Sequence, residues 1–130
     1  MDRGVIRNVG VSQVTVEQIE RARKVMPIAA VQQQYSLSER KYDVEVGYCT
    51  REGIPFVPFY PLRVAEGRAL QETARRKGAT THQVALAWLL KRSPVMLPIP
   101  GTLSLAHLEE NLAAQHIELS DEEFEALRHA

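Results

Sequence analysis

The sequence predicts an α/β protein whose parallel strands are joined by helices. Two observations lead there. Short runs of β-branched and apolar residues alternate, four times along the chain, with segments whose apolar residues recur at helical spacing. Strands separated by helices rather than by tight hairpin turns run parallel, with right-handed crossovers and helices covering at least one face.

Each element has its own justification. The run Val5–Val11 is rich in β-branched residues and closes at polar Ser12 and Gln13, as a strand does. Thr15 and Gln18 have the spacing of a capping box, and Val16, Ile19, Ala22 and Met26 follow on one helical face until Pro27. Ile28–Val31 is the second strand and runs into Gln32, Gln33 and Gln34. Tyr42, Val46 and Cys49 predict a helix from about Tyr42 to Glu52, stopped by Gly53. Ile54–Phe59 is the third strand, although Pro55 and Pro58 lack the N–H that a ladder uses.

Gly67–Lys77 reads as a helix with Arg75, Arg76 and Lys77 in its last turn and Gly78 as its stop. Thr81 is the expected cap of a helix over His82–Arg92, apolar nearly all round and therefore deeply buried. Pro94–Pro100 is the expected fourth strand, Gly101-Thr102 a turn, and Ser104–Ala114 the next helix. Ser120–Glu123 is a capping box that opens a short terminal helix carrying Phe124 and Leu127. No linker or low-complexity segment divides the chain, so residues 1–130 are read as a single unit.

Composition narrows the function classes. The 130 residues are 45% hydrophobic and 25% charged, which suits a globular domain with one core and excludes charge-driven disorder. Lys+Arg and Asp+Glu balance at 16 each, leaving no electrostatic reason to expect nucleic acid or an anionic membrane as partner. No apolar run approaches the roughly 20 residues of a membrane span, and the start at Met1 has no signal-like apolar region. The single cysteine, Cys49, cannot form an intrachain disulfide and sits on an apolar helical face, where it reads as a small buried hydrophobe. A soluble, cytoplasmic chain is expected.

The common signatures of chemistry are missing. There is no GxGxxG and no P-loop lysine motif. His82, His107, His116 and His129 are scattered, so no metal site is expected. Glu109-Glu110 and Asp121–Glu123 are read as solvated faces and helix-start charges. What remains is positional: Ser12-Gln13, Gln32–Gln34, Phe59-Tyr60 and Gly101-Thr102 all lie just beyond carboxyl ends of strands, the edge where parallel α/β proteins bind ligands.

Several segments, in order, resemble the aldo-keto reductase family and its bacterial members in particular. They are Ile6–Ser12, Val31-Gln32 with Tyr35–Leu37, Gln83–Leu90, Pro98–Thr102 and His107–Leu112. The resemblance implies the second half of a TIM-type (β/α)8 barrel: about four βα units plus a short C-terminal helix. A chain of 130 residues is half of the ≈ 250 typical of a whole barrel. It further implies an oxidoreductase that reduces aldehydes and ketones with a nicotinamide cofactor, NADPH with NADH possible.

By the same resemblance, Ser12 and Gln13 take the place of the Ser-Asn pair that binds the nicotinamide carboxamide, with Gln in place of the usual Asn. Gln32 matches the family's carboxamide-binding Gln, and Phe59 the aromatic ring that stacks on the nicotinamide. Pro61 and Leu62 match the start of the pyrophosphate loop, but Arg63-Val64 stand where glycines commonly follow. Gly101, Thr102, Ser104 and His107 match positions facing the adenosine 2′-phosphate, and Glu110 and Asn111 lie toward adenine. None of these is the Lys or Arg of many relatives, and only His107 could become cationic.

The family's catalytic Tyr, Lys, Asp and His lie on early strands that this chain does not include. Tyr35, Tyr42, Tyr48 and Tyr60 stand outside the matching motif, so no catalytic residue is assigned. Two readings stay open: the cofactor-binding half of a reductase, acting on a carbonyl substrate only when the other half is supplied, and a catalytically inactive half-barrel that serves as an assembly module. Either leaves two raw strand edges, Val5–Val11 and Val95–Ile99, and half an apolar barrel core facing water, which predicts a homodimer or larger homo-oligomer.

Overall fold

The computed structural model describes residues 3–129. Three parallel strands, in the order β1-β2-β3, form the sheet: β1 (Val9–Ser12), β2 (Ile28–Gln34) and β3 (Phe56–Phe59). Between and after them come α1 (Val16–Arg23), α2 (Asp43–Glu52), α3 (Arg68–Lys77), α4 (Thr81–Arg92), α5 (Leu105–Ala113), a 3-10 turn at Ala114–His116, and α6 (Asp121–Arg128). The expected α/β half-barrel is therefore present, with its fourth strand reduced.

That reduction has a cause in backbone parity. Phe56 N–H donates to Val95 O at 2.9 Å, and Leu97 N–H donates to Phe56 O at 2.8 Å. In a parallel ladder the next rung on that side needs an N–H from Pro58, which has none. Pro98 and Pro100 point their missing donors to the other side of the segment, so Pro58 alone breaks this ladder. The expected strand Pro94–Pro100 thus shrinks to a single parallel bridge between Phe56 and Met96. On the other side of β3 the prolines do no harm, because Pro55 contributes only its carbonyl, which accepts from Val31 N–H at 2.9 Å.

β1 also differs from the expected Val5–Val11. Pairing with β2 begins only at Val9 opposite Ile28, so the preceding residues have no ladder partner, and Val5 and Ile6 lie exposed. The register shifts between Val9 and Gly10. A Cβ on Gly10 would meet the Ala30 carbonyl oxygen at 2.9 Å, so the close approach of the two strands requires glycine there.

Most helix ends follow their sequence signals. Capping boxes close Thr15 with Gln18 and Ser120 with Glu123, and Gly53 and Gly78 adopt the left-handed conformation at φ 67° and 61°. Thr80, not Thr81, caps α4, because Gln83 stands three residues after Thr80 and returns the reciprocal bond. Gly67 is likewise the cap of α3 rather than its first residue. α1 stops at Arg23, short of Met26, where Val25 and Met26 N–H groups both turn back onto Ala22 O.

The two faces of the sheet differ. Val31, Gln33, Phe56 and Pro58 point toward the helices and are buried with Ile19, Val46, Cys49, Leu70, Val84 and Trp88. Trp88 stacks on Phe124 at 5.1 Å, lies 6.3 Å from the Tyr35 ring, and donates from its indole N–H to Phe124 O at 3.2 Å. The opposite, concave face carries Gly10, Ser12, Ala30, Gln32, Gln34, Val57 and Phe59, which share it by register and alternation.

Val57 and Phe59 are the only large apolar side chains among these seven, so the apolar surface on the inner face is smaller than expected. The exposed apolar surface lies elsewhere, at Leu97, Ile99 and Leu103 and along α5 at Leu105, Leu108 and Leu112. These last three share one helical stripe, and α5 buries none of its residues.

Candidate functional site

The carboxyl edge of the sheet holds a cleft of about 790 Å³, walled by Phe59, Tyr60, Pro61, Leu62 and Arg63 on one side and Ile99, Pro100 and Gly101 on the other. The failed rung at Pro58 bears on its position: the two chain segments cease to bond after Leu97, just before residues 99–101 line the opposite wall. A second, smaller cavity of about 260 Å³ is lined by Leu62, Thr80, His82, Gly101, Thr102, His107, Glu110 and Asn111. Leu62 and Gly101 wall both cavities, so the two adjoin.

Phe59, Pro61, Leu62, Gly101, Thr102, His107, Glu110 and Asn111 are thus brought together in one groove. Ser12, Gln13 and Gln32 line neither cavity. Ser12 and Gln32 pair directly across β1 and β2 on the concave face, and both are exposed. Gln34, two residues on, pairs with Phe59, which ties that polar corner to the wall of the cleft. Ser104 also stands outside both cavities. Its hydroxyl caps α5 by accepting His107 N–H at 3.3 Å, while its own N–H donates to Thr102 Oγ1 at 3.0 Å.

Backbone strain concentrates at this edge. Gln13 and Tyr60 are the two non-glycine residues with positive φ among the described residues, both at 52°, and each follows the last residue of a strand directly. Such conformations cost about 1–3 kcal/mol and persist where the surroundings fix them, which happens most often at ligand sites. Tyr60 is 62% exposed, meets the Phe59 ring edge-on at 5.3 Å, and lies beneath the Arg63 guanidinium at 5.9 Å. The loop is tied down from β2's side: Ser36 Oγ donates to Arg63 O at 2.8 Å, and Ala65 N–H donates to Ser38 Oγ at 2.8 Å.

Tyr60, placed by sequence at the strand end but given no role, lines the cleft, as do Arg63, Ile99 and Pro100, which lie within two residues of assigned ones. Thr80 and His82 carry no such signal, because they come from the cap and first turn of α4 rather than from a strand end.

Other reactive side chains are occupied. Tyr35 is fully buried, and its O–H donates to Asp43 Oδ1 at 2.6 Å; burial and that carboxylate push the phenol well above its ordinary range. The Tyr48 hydroxyl is engaged by Glu20 and Arg23 and is also raised, chiefly by burial. Neither can serve as a proton donor in the groove. Burial and Glu45 push the Cys49 thiol up to about 11, so it stays a protonated core side chain. Among the described residues, no cluster of three or more His, Cys, Asp or Glu could hold a metal, and no helix is long and apolar enough to cross a membrane.

A parallel, helix-backed half-sheet with an aromatic-walled cleft at its carboxyl edge defines half of a (β/α)8 barrel, in the place where such barrels hold ligands. The chain belongs to the aldo/keto reductase family, whose sequence profile matches residues 1–67 and 61–130. It is 44% identical over 128 residues to an uncharacterised oxidoreductase of Schizosaccharomyces pombe, covering 95% of this chain and 42% of that protein. It is also 44% identical over 123 residues to pyridoxine 4-dehydrogenase of Escherichia coli, covering 92% of this chain and 43% of the enzyme.

Among solved structures, a thermostable aldo-keto reductase crystallised with the inhibitor epalrestat superposes with a TM-score of 0.91 at 34% identity, covering 98% of this chain and 50% of that one. An aldo-keto reductase from Klebsiella pneumoniae in complex with NADPH gives 0.86 at 28% identity, covering 98% and 49%. The chain thus spans about half the length of the relatives it matches.

Proposed function

We propose that this chain is the nicotinamide-cofactor-binding half of an NADP(H)-dependent carbonyl reductase, folding as one unit and acting in the cytoplasm. The observation that carries the reading is the continuous groove from Phe59 through Leu62 and Gly101 to Thr102, His107 and Asn111. The side chains suit a dinucleotide. A half-buried aromatic ring can stack on a flat heterocycle, and the exposed hydroxyl of Ser12 and carboxamide of Gln32, paired side by side, offer donors and acceptors to a carboxamide. The adjoining cavity supplies Thr102, His107 and Asn111 for the adenosine end.

NADP(H) is favoured because similar structures were solved with NADPH and with NADP. When bound, the cofactor supplies the hydride; this chain's residues bind it and orient its ring. We assign the proton for the carbonyl oxygen to a second half bearing the family's acid, since Tyr35 and Tyr48 are locked in internal hydrogen bonds and Tyr60, the tyrosine of the cleft, stands outside the family's catalytic motif. The test is a titration of the purified chain with NADPH, followed through the cofactor's own emission. Saturable binding supports the reading, and an absence of binding at millimolar cofactor overturns it.

One observation favours a second reading, in which the half-barrel works as an assembly module. α5 buries no residue and presents Leu105, Leu108 and Leu112 to solvent, a surface that self-association would cover. A homodimer pairing strand edges accommodates both readings, and only the first requires cofactor binding.

A further inference from the structure

We infer that Gln33 is the positioning residue of the nicotinamide end of the site: its buried carboxamide locks the turn that carries Ser12 and Gln13. The inference rests on the cofactor reading above for what that turn touches. The middle glutamine of the trio is fully buried, on the helix-facing side of β2, while Gln32 and Gln34 share the concave face. Its side chain makes two bonds to one residue of the neighbouring loop. Val14 N–H donates to Gln33 Oε1 at 3.1 Å, and Gln33 Nε2 donates to Val14 O at 2.6 Å.

The carboxamide therefore acts as a substitute strand residue, extending the β1-β2 ladder one step after the backbone has left it. The last backbone rung is Gln13 N–H donating to Gln32 O at 3.0 Å. Beyond the clamp, Val16 N–H donates to Glu45 Oε1 at 3.2 Å, and the Thr15 capping box fixes the start of α1.

This sequence of bonds explains how Gln13 keeps a φ of 52°. A glutamine gains nothing intrinsically from the left-handed region, so the conformation has to be imposed from both sides. The rung from Gln13 holds one side and the Gln33 clamp on Val14 holds the other. Released from the clamp, the turn is free to relax to ordinary φ, which swings the Gln13 side chain and the end of β1 relative to Gln32. Adjacent glutamines thus divide the work: Gln32 faces the ligand, and Gln33, from the opposite face of the sheet, sets the geometry of the residues beside it.

The experiment compares two ligands that differ at the nicotinamide: NADPH, which carries the ring, and 2′-phospho-ADP-ribose, which lacks it. Both are titrated into the full chain, wild type and Gln33→Met, which keeps length and loses both hydrogen bonds. The expected result is NADPH affinity about tenfold weaker in the variant, in line with the loss of ordered hydrogen bonds, with 2′-phospho-ADP-ribose affinity unchanged. A merely destabilised fold would weaken both ligands alike, and either that or an unchanged ratio overturns the inference.

Hydrogen exchange on the wild type needs no variant. Val14 N–H should be protected like the amides of β1, and exchange at open-loop rates would overturn the clamp. If the wild type binds neither ligand while Val14 remains protected, the cofactor reading fails and the clamp stands as a purely structural device.

Discussion

Replacing Phe59 by alanine tests the site with little risk to the fold. Phe59 is the last residue of β3, and its backbone contribution, the carbonyl that accepts Tyr35 N–H at 3.4 Å, is unaffected by the change. Its side chain is only half buried, on the concave face, and packs edge-on against exposed Tyr60 rather than into the Trp88 cluster. What is lost is a wall of the 790 Å³ cleft and the ring on which a nicotinamide can stack. Aromatic stacking contributes about 0.5–1.5 kcal/mol beyond area burial, so NADPH affinity should fall about two- to twelvefold. The assay should follow the cofactor's emission, since Trp88, the one tryptophan, is buried on the far side of the sheet against Phe124. Unchanged affinity with unchanged thermal stability would refute the placement of the nicotinamide at Phe59.

Further outcomes follow from the same structure. The chain alone should not oxidise NADPH with an aromatic aldehyde such as a nitrobenzaldehyde, because it offers no tuned proton donor for the developing alkoxide; turnover abolished by mutating one of its own tyrosines would contradict this. Burial alone would raise the Asp43 carboxyl, but hydrogen bonds from Tyr35 and Arg92, with the charges of Arg92 and Arg128, outweigh it and hold the group below the ordinary carboxylate range. A depressed folded-state value means that this contribution to stability is present above the unfolded pKa and is lost as pH falls through the folded one. Asp43→Asn should therefore flatten the acid limb of a stability–pH curve, and an unaltered limb would refute the linkage. In light scattering at micromolar concentration the chain should be a dimer or larger, and Leu108→Glu on the exposed stripe of α5 should shift it toward monomer. A monomer before mutation would count against self-association.

Local chemistry made much of the fold legible. Thr15 with Gln18, Ser120 with Glu123, and glycines 53 and 78 mark helix ends because those signals act within four residues. Gln83, three residues after Thr80, is an equally local signal that Thr80 rather than Thr81 is the cap. The fourth strand was not. Its failure depends on which side of β3 each N–H faces, and that parity is set only once Val31 pairs with Phe56. The start of β1 is likewise dictated by its partner, since Val5 and Ile6 have strand-like side chains with nothing opposite them.

The site divides along the same line. Phe59, Gly101 and Thr102 lie at expected strand ends, so position alone pointed to them. Thr80 and His82 reach the groove from the start of α4, a placement that only tertiary packing creates. Gln33 looks in sequence like one more polar residue of a strand-end trio, and its clamp on Val14 becomes visible only when the face of each glutamine is known.

The central claim, that one groove of this chain binds a nicotinamide dinucleotide, is tested most directly by mapping backbone amide shifts during an NADPH titration of the isotope-labelled chain. The account predicts saturable shifts that cluster at Ser12–Val14, Gln32, Phe59–Arg63 and Gly101–Asn111, with the outer faces of α2 and α6 unmoved. Shifts centred on those helices, or none at saturating cofactor, would contradict it.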